Sequence, residues 1–99
     1  MITSKQRAYL RGMASTAETI FQLGKEGIGE TFVKQIDLAL EKRELIKLKI
    51  LETAPIDARE AAEQLAHATR SNIVQVIGHK VVLYRAASEV KNRKIVLPR

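Results

Sequence analysis

With 99 residues and 45% hydrophobic side chains, the chain is sized for a single domain over 1–99, and no apolar run is long enough to span a bilayer. It contains no cysteine, which excludes disulfides and thiolate zinc sites and suits a cytoplasmic protein. A formal charge of +6 and a pI near 9.9 favour a polyanionic partner, nucleic acid or an anionic membrane, wherever the cations cluster.

A first helix is expected over 4–14. Thr3 is placed to cap it, and Gln6 completes a capping-box pattern. Tyr9, Leu10 and Met13 form its apolar stripe. Arg7 and Arg11 lie one turn apart on another face, either as a solvated surface or as two guanidinium groups awaiting a polyanion. A strand follows at 19–23, a loop at 24–27 and a second helix at 29–42. In the next strand, 44–51, alternation sets Ile46, Leu48 and Ile50 on one face and Lys47 and Lys49 on the other. Asp57 reads as an N-cap for a third helix at 58–70, with Glu60 completing a second capping box and Ser71-Asn72 ending the helix.

Residues 57–70 carry two basic and three acidic groups, a net of −1 that leaves +7 elsewhere. That helix is therefore the least suited to bind a polyanion. Strands at 73–77 and 80–85 are joined by Gly78-His79, a two-residue loop that suits a type II′ hairpin. The register sets Val74, Val76, Val81 and Leu83 on the core face. The opposite face, with Ile73, Gln75, Ile77, Lys80, Val82 and Tyr84, is too apolar to be bare and calls for cover by the first helix or the tail. The tail holds Ile95, Val96 and Leu97 after a polar linker at 86–94. The order α-β-α-β-α-β-β predicts an α/β two-layer sandwich with a four-stranded mixed sheet, its second and third helices on one face.

Catalysis finds little support. His67 and His79 read as helix and turn residues without metal-ligand spacing, and no nucleophile elbow or Walker pattern occurs. No helix joins a large apolar face to a basic one, as a membrane-surface protein would require. The chemistry-bearing segment is Gly24-Lys25-Glu26-Gly27. It is a Gly-x-x-Gly loop with an internal lysine, lying between an apolar strand and a helix start. Helix N-termini expose unpaired N–H groups, and glycines admit a close backbone, so the loop suits a phosphate. Lys42, Arg43, Lys47 and Lys49 follow where the second helix ends and the strand runs, and are expected to extend a positive track. With Phe21 and Phe32 assigned to the core, no aromatic stacking platform is expected, so recognition would rest on phosphates and shape.

Four blocks together resemble the YhbY/CRM (chloroplast RNA splicing and ribosome maturation) domain family, in its bacterial stand-alone form. They are Thr3-Ser4-Lys5-Gln6-Arg7-Ala8-Tyr9-Leu10-Arg11-Gly12, Leu23-Gly24-Lys25-Glu26-Gly27, Ala39-Leu40-Glu41-Lys42-Arg43-Glu44-Leu45-Ile46-Lys47, and Val74 to Arg85. The resemblance implies a fold similar to the C-terminal domain of translation initiation factor three. It implies RNA as partner, in precursors of the large ribosomal subunit whose assembly the protein would assist. Gly24 and Gly27 would mark the RNA contact. Plant relatives act in group II intron splicing. The expected protein is a cytoplasmic monomer with no enzymatic activity, cofactor, membrane partner or small-molecule substrate. The alternative is a protein-binding adaptor within a ribonucleoprotein particle, using the second sheet face or the third helix.

Overall fold

In the computed structural model, which describes residues 2–99, the chain begins with the expected capping box. Thr3 Oγ1 accepts the Gln6 amide at 3.1 Å and Gln6 Oε1 accepts the Thr3 amide at 3.0 Å, satisfying two N–H groups that the helix leaves over. The elements are α1 (Ser4–Ala14), β1 (Thr19–Leu23), α2 (Glu30–Arg43), β2 (Leu45–Ile50), α3 (Ala58–Thr69), β3 (Asn72–Ile77), β4 (Lys80–Tyr84) and a 3₁₀ turn at Val90–Asn92. The sheet order is β1-β2-β4-β3, with β1–β2 parallel and the other two pairs antiparallel. This is the expected mixed α/β sandwich.

The larger core lies between one sheet face and α2 and α3. Ile46, Leu48, Ile50, Val81 and Leu83 meet Ile36, Leu40 and Leu65, while Ala61 and Ala62 let α3 approach closely. Part of the other face is covered as expected, by both α1 and the tail: Leu10, Ala14 and Ile2 pack with Val74, Val82 and Tyr84, flanked by Ile95 and Leu97, while Ile77 and Val96 stay exposed.

Five local expectations change. Val74 leaves the predicted core face for the α1 side, because the β3–β4 register slips between Ile73 and Gln75. A bulge there sets two residues against one and exchanges the faces of those beyond it, so that Ile73 joins the larger core instead. The buried stripe of α1 is Leu10 and Ala14, whereas Tyr9 and Met13 are exposed. Helix α3 ends on Arg70 at φ +56° instead of on Ser71-Asn72, with the Ser71 amide returning to the Ala66 carbonyl. At its start Asp57 caps the Glu60 amide at 2.8 Å, but the reciprocal half of the box is not made.

The fifth change concerns 86–94, which is not a free linker. Glu44, buried at the end of α2 with φ +65°, accepts the Ala87 amide through Oε2 and the Lys94 and Ile95 amides through Oε1. Glu41, one turn earlier, accepts from the Ser88 amide and hydroxyl, the Glu89 amide and Asn92. Two carboxylates thus hold the whole segment against the body of the fold.

Candidate functional site

Strand β1 delivers the chain to the Gly-x-x-Gly loop, and the parallel β2 ends beside it: the Leu51 amide donates to the Leu23 carbonyl at 2.9 Å. Within the loop the Gly27 amide closes a turn on the Gly24 carbonyl at 3.1 Å, leaving Lys25 and Glu26 exposed at the tip. Helix α2 starts three residues after Gly27, with Gly29 at its N-cap and no side chain capping it. Among the described residues, the amides of Lys25, Glu26, Ile28 and Gly29 have no protein acceptor. Phe21 and Phe32 brace the loop edge to face, their ring centroids 6.3 Å apart. Loop, helix start and the segment after β2 enclose an open groove of about 810 Å³ lined by Lys25, Gly27, Gly29, Thr31, Gln35 and Thr53, among others. Unpaired amides, a helix N-terminus and a lysine converge there, a combination that suits a phosphate. Glu26, and Glu30 in the first turn of α2, oppose this charge, so an anion must enter on the amide side.

The continuous positive track does not form. Lys42 and Arg43 close the last turn of the 14-residue α2, roughly 20 Å from the loop. Lys47 and Lys49 lie on the α1 side of the sheet. Lys47 donates to the Ala14 carbonyl at 3.2 Å, serving as a cap for the end of α1. Lys49 remains beside the loop, paired with Gln22 of β1 on one flank and with Lys80 of β4 on the other. Lys80 reaches across to Thr19 Oγ1 at 3.1 Å. Lys49 and Lys80 therefore form a basic surface on neighbouring strands next to the loop. Like charges placed directly opposite destabilise a sheet, so the Lys49–Lys80 pair needs a reason other than the fold. Lys80 escaped the sequence reading as a site residue because only the β2–β4 pairing brings it to Lys49.

The four sequence blocks that carry the family resemblance now have places in this fold: the capped α1, the loop, the junction of α2 and β2 with its buried Glu44, and the β3–β4 hairpin. A model of the CRS1/YhbY (CRM) domain matches residues 2–85. The chain belongs to the CRS1/YhbY family. A protein of Bacillus subtilis named probable RNA-binding protein YqeI is 44% identical over 98 residues, with 99% of this chain and all of that one covered. A Haemophilus influenzae protein named RNA-binding protein is 34% identical over 98 residues, covering 99% and 96% of the two chains. The solution structure of SAV1595 from Staphylococcus aureus superposes with a TM-score of 0.79 at 50% identity over 99% of this chain and all of that one.

In this CRM domain the two arginines of α1 lie away from the loop. Arg7 donates Nε–H to the Ile73 carbonyl at 3.1 Å, tying α1 to β3, and Arg11 is exposed one turn further on. Neither histidine joins a metal-binding cluster, and no group of three or more carboxylates and imidazoles gathers among the described residues. No helix among them is long and apolar enough to cross a membrane.

Proposed function

We propose that this CRM domain is a non-catalytic RNA-binding protein of the cytoplasm that acts as a monomer on precursors of the large ribosomal subunit, as an assembly factor. The observation that carries the RNA contact is the loop itself: free backbone amides, an uncapped helix start and Lys25 face one groove, with Lys49 and Lys80 beside it. Relatives named as RNA-binding proteins over the whole length of the chain support the partner class. The assembly role rests on the family resemblance. Of the two surfaces open to an adaptor, the third helix and the second sheet face, the latter has most of its apolar part taken by α1 and the tail.

The loop would take the phosphate backbone through its amides and Lys25, and the lysine face would continue the contact. Lys42 and Arg43 would serve only an RNA large enough to reach the far end of α2. With about four to six phosphate contacts on a single strand, the log–log dependence of affinity on salt should have a slope of about −3 to −4. Lys25→Ala should weaken binding across sequences without lowering the melting temperature, and wild-type affinity in that variant would remove the loop from the site. Crosslinking in cells followed by sequencing of the bound RNA tests the partner. Reads concentrated on large-subunit ribosomal RNA support the assembly role, and reads confined to messenger or transfer RNA overturn it.

A further inference from the structure

A groove of about 540 Å³ runs along β3, the edge strand on the side of the sheet away from the loop. Three arginines line it from both sides of the sheet: Arg7 and Arg11 from α1 on one, Arg59 from α3 on the other. Among the described residues none of them has an acidic partner, since the ion pairs there involve only Arg85 and Lys91. The Nε–H bond to Ile73 fixes the Arg7 guanidinium at the groove and leaves its two amino groups without a protein acceptor among the described residues. Three guanidinium groups gathered with no ion pair to any of them repel one another, and their planar sets of donors match phosphate oxygens. The net acidic charge of α3 conceals Arg59 in the sequence. In the fold, however, the nearest acid before it, Asp57, is turned to the Glu60 amide as a cap.

Two features of this edge decide against an added peptide strand. The bulge between Ile73 and Gln75 breaks the regular spacing of the outward N–H and C=O groups, and Arg7 already occupies the Ile73 carbonyl. A phosphate needs neither. In the spatial order β1-β2-β4-β3, cations follow one another across the sheet: Lys25 after β1, Lys49 on β2, Lys80 on β4, and the three arginines at β3. The two edges are three strand spacings apart, roughly 15 Å.

We propose that the β3-edge groove is a second phosphate site, in which Arg7, Arg11 and Arg59 hold the backbone of the same RNA strand that the loop engages. This rests on the RNA-binding reading above and adds a second anchor to it.

The test measures binding of labelled tetrauridylate and dodecauridylate against salt, for the wild type, for Arg11→Ala/Arg59→Ala, and for Lys91→Ala as a charge control outside the groove. Arg7 is left intact because it also ties α1 to β3. The double variant should keep its melting temperature and bind the dodecamer about tenfold more weakly. Its salt slope should be shallower by about 1.4, from two lost contacts, while tetramer binding at the loop changes little. If the wild type binds RNA and the double variant matches it, or if Lys91→Ala or the tetramer shows the same loss, the second site is wrong and RNA binding stands. If the wild type binds neither oligomer, both readings fall. An oligoglutamate peptide that binds as tightly as the RNA, and is lost in the double variant, would assign the groove to an acidic peptide and overturn the proposal.

Discussion

A Cβ placed on Gly27 would lie 3.1 Å from Pro55 Cγ, and Gly27 has φ +70°. The loop's second glycine is therefore required by the loop's own conformation and by the packing of the segment after β2, before any ligand is considered. Gly24 differs: its φ is not positive, and a Cβ there would meet Leu51 and Thr53 only at ordinary contact distance. Gly27→Ala should cost about 1–2 kcal/mol of stability, from the left-handed backbone and the proline contact together. Gly24→Ala should cost less than about 0.5 kcal/mol. Urea denaturation of the two variants checks the difference. Because its fold is kept, Gly24→Ala is also the cleaner probe of whether RNA approaches the loop backbone closely.

Both oxygens of Glu44 accept only from N–H groups, and Arg85 donates its amide to the Glu44 carbonyl at 2.9 Å. Glu44→Gln keeps the shape but turns one acceptor into an NH₂ group that faces a buried N–H. The expected loss is about 2–4 kcal/mol, the range for charge-assisted bonds replaced by an unsatisfied donor. Amide hydrogen exchange should locate it, with protection falling first at Ala87, Lys94 and Ile95. An unchanged midpoint in urea would show that the tail is held by Ile95 and Leu97 alone.

This latch marks the limit of what the sequence shows. Helix and strand periods, the Thr3–Gln6 cap and the Gly78-His79 turn are local signals, and they place the three α-helices and four strands to within a residue or two, but not the 3₁₀ turn at Val90–Asn92. Gly78 alone takes positive φ in that turn, as a type II′ hairpin requires. Glu41 and Glu44 look like ordinary acids near a helix end, and their partners lie 43 to 51 residues further on. The face of Val74 depends on a bulge that no alternation pattern records. The candidate site divides in the same way. The loop and its lysine are contiguous in the chain and legible. Lys80 joins its basic surface only through strand order and Arg59 only through the packing of α3 beside β3, and Lys42 and Arg43, neighbours of Lys47 in sequence, are carried to the opposite end by α2.

The same two acids set a pH dependence. The Ser88 amide and hydroxyl, followed by the Glu89 amide and Asn92, pull the Glu41 carboxyl down to about 2 from an ordinary 4.5. Burial pushes Glu44 upward, but the amides of Ala87, Lys94 and Ile95 and the charge of Arg93 outweigh it and leave it below its ordinary value. Both groups are thus more acidic folded than unfolded. Their contribution is fully present above the unfolded value of 4.5 and is lost as pH falls through the folded values toward about 2. Thermal midpoints should be flat from neutral pH to about 5 and then decline, with Ser88 and Ile95 losing exchange protection over the same interval. Glu41→Gln should flatten part of that decline. A midpoint independent of pH down to about 2 would show that neither carboxylate holds the tail.

Lys49 and Lys80, opposite each other on β2 and β4, give a prediction in which stability and binding separate. Lys80→Gln removes a repulsion of about 0.2–1 kcal/mol and keeps an amide able to donate to Thr19, so stability should hold or rise slightly. If the pair serves a phosphate, the same change should weaken single-stranded RNA binding and make the salt slope shallower by about 0.7. Lys47→Gln should do the reverse. It withdraws the ammonium from the Ala14 carbonyl, lowering stability by about 0.5–1 kcal/mol with little effect on the slope. Comparing the two variants by urea denaturation and by salt-dependent anisotropy distinguishes a lysine that faces RNA from one that caps a helix. Equal effects of the two on RNA binding would mean that the lysine face acts only through net charge, and that its geometry beside the loop is incidental.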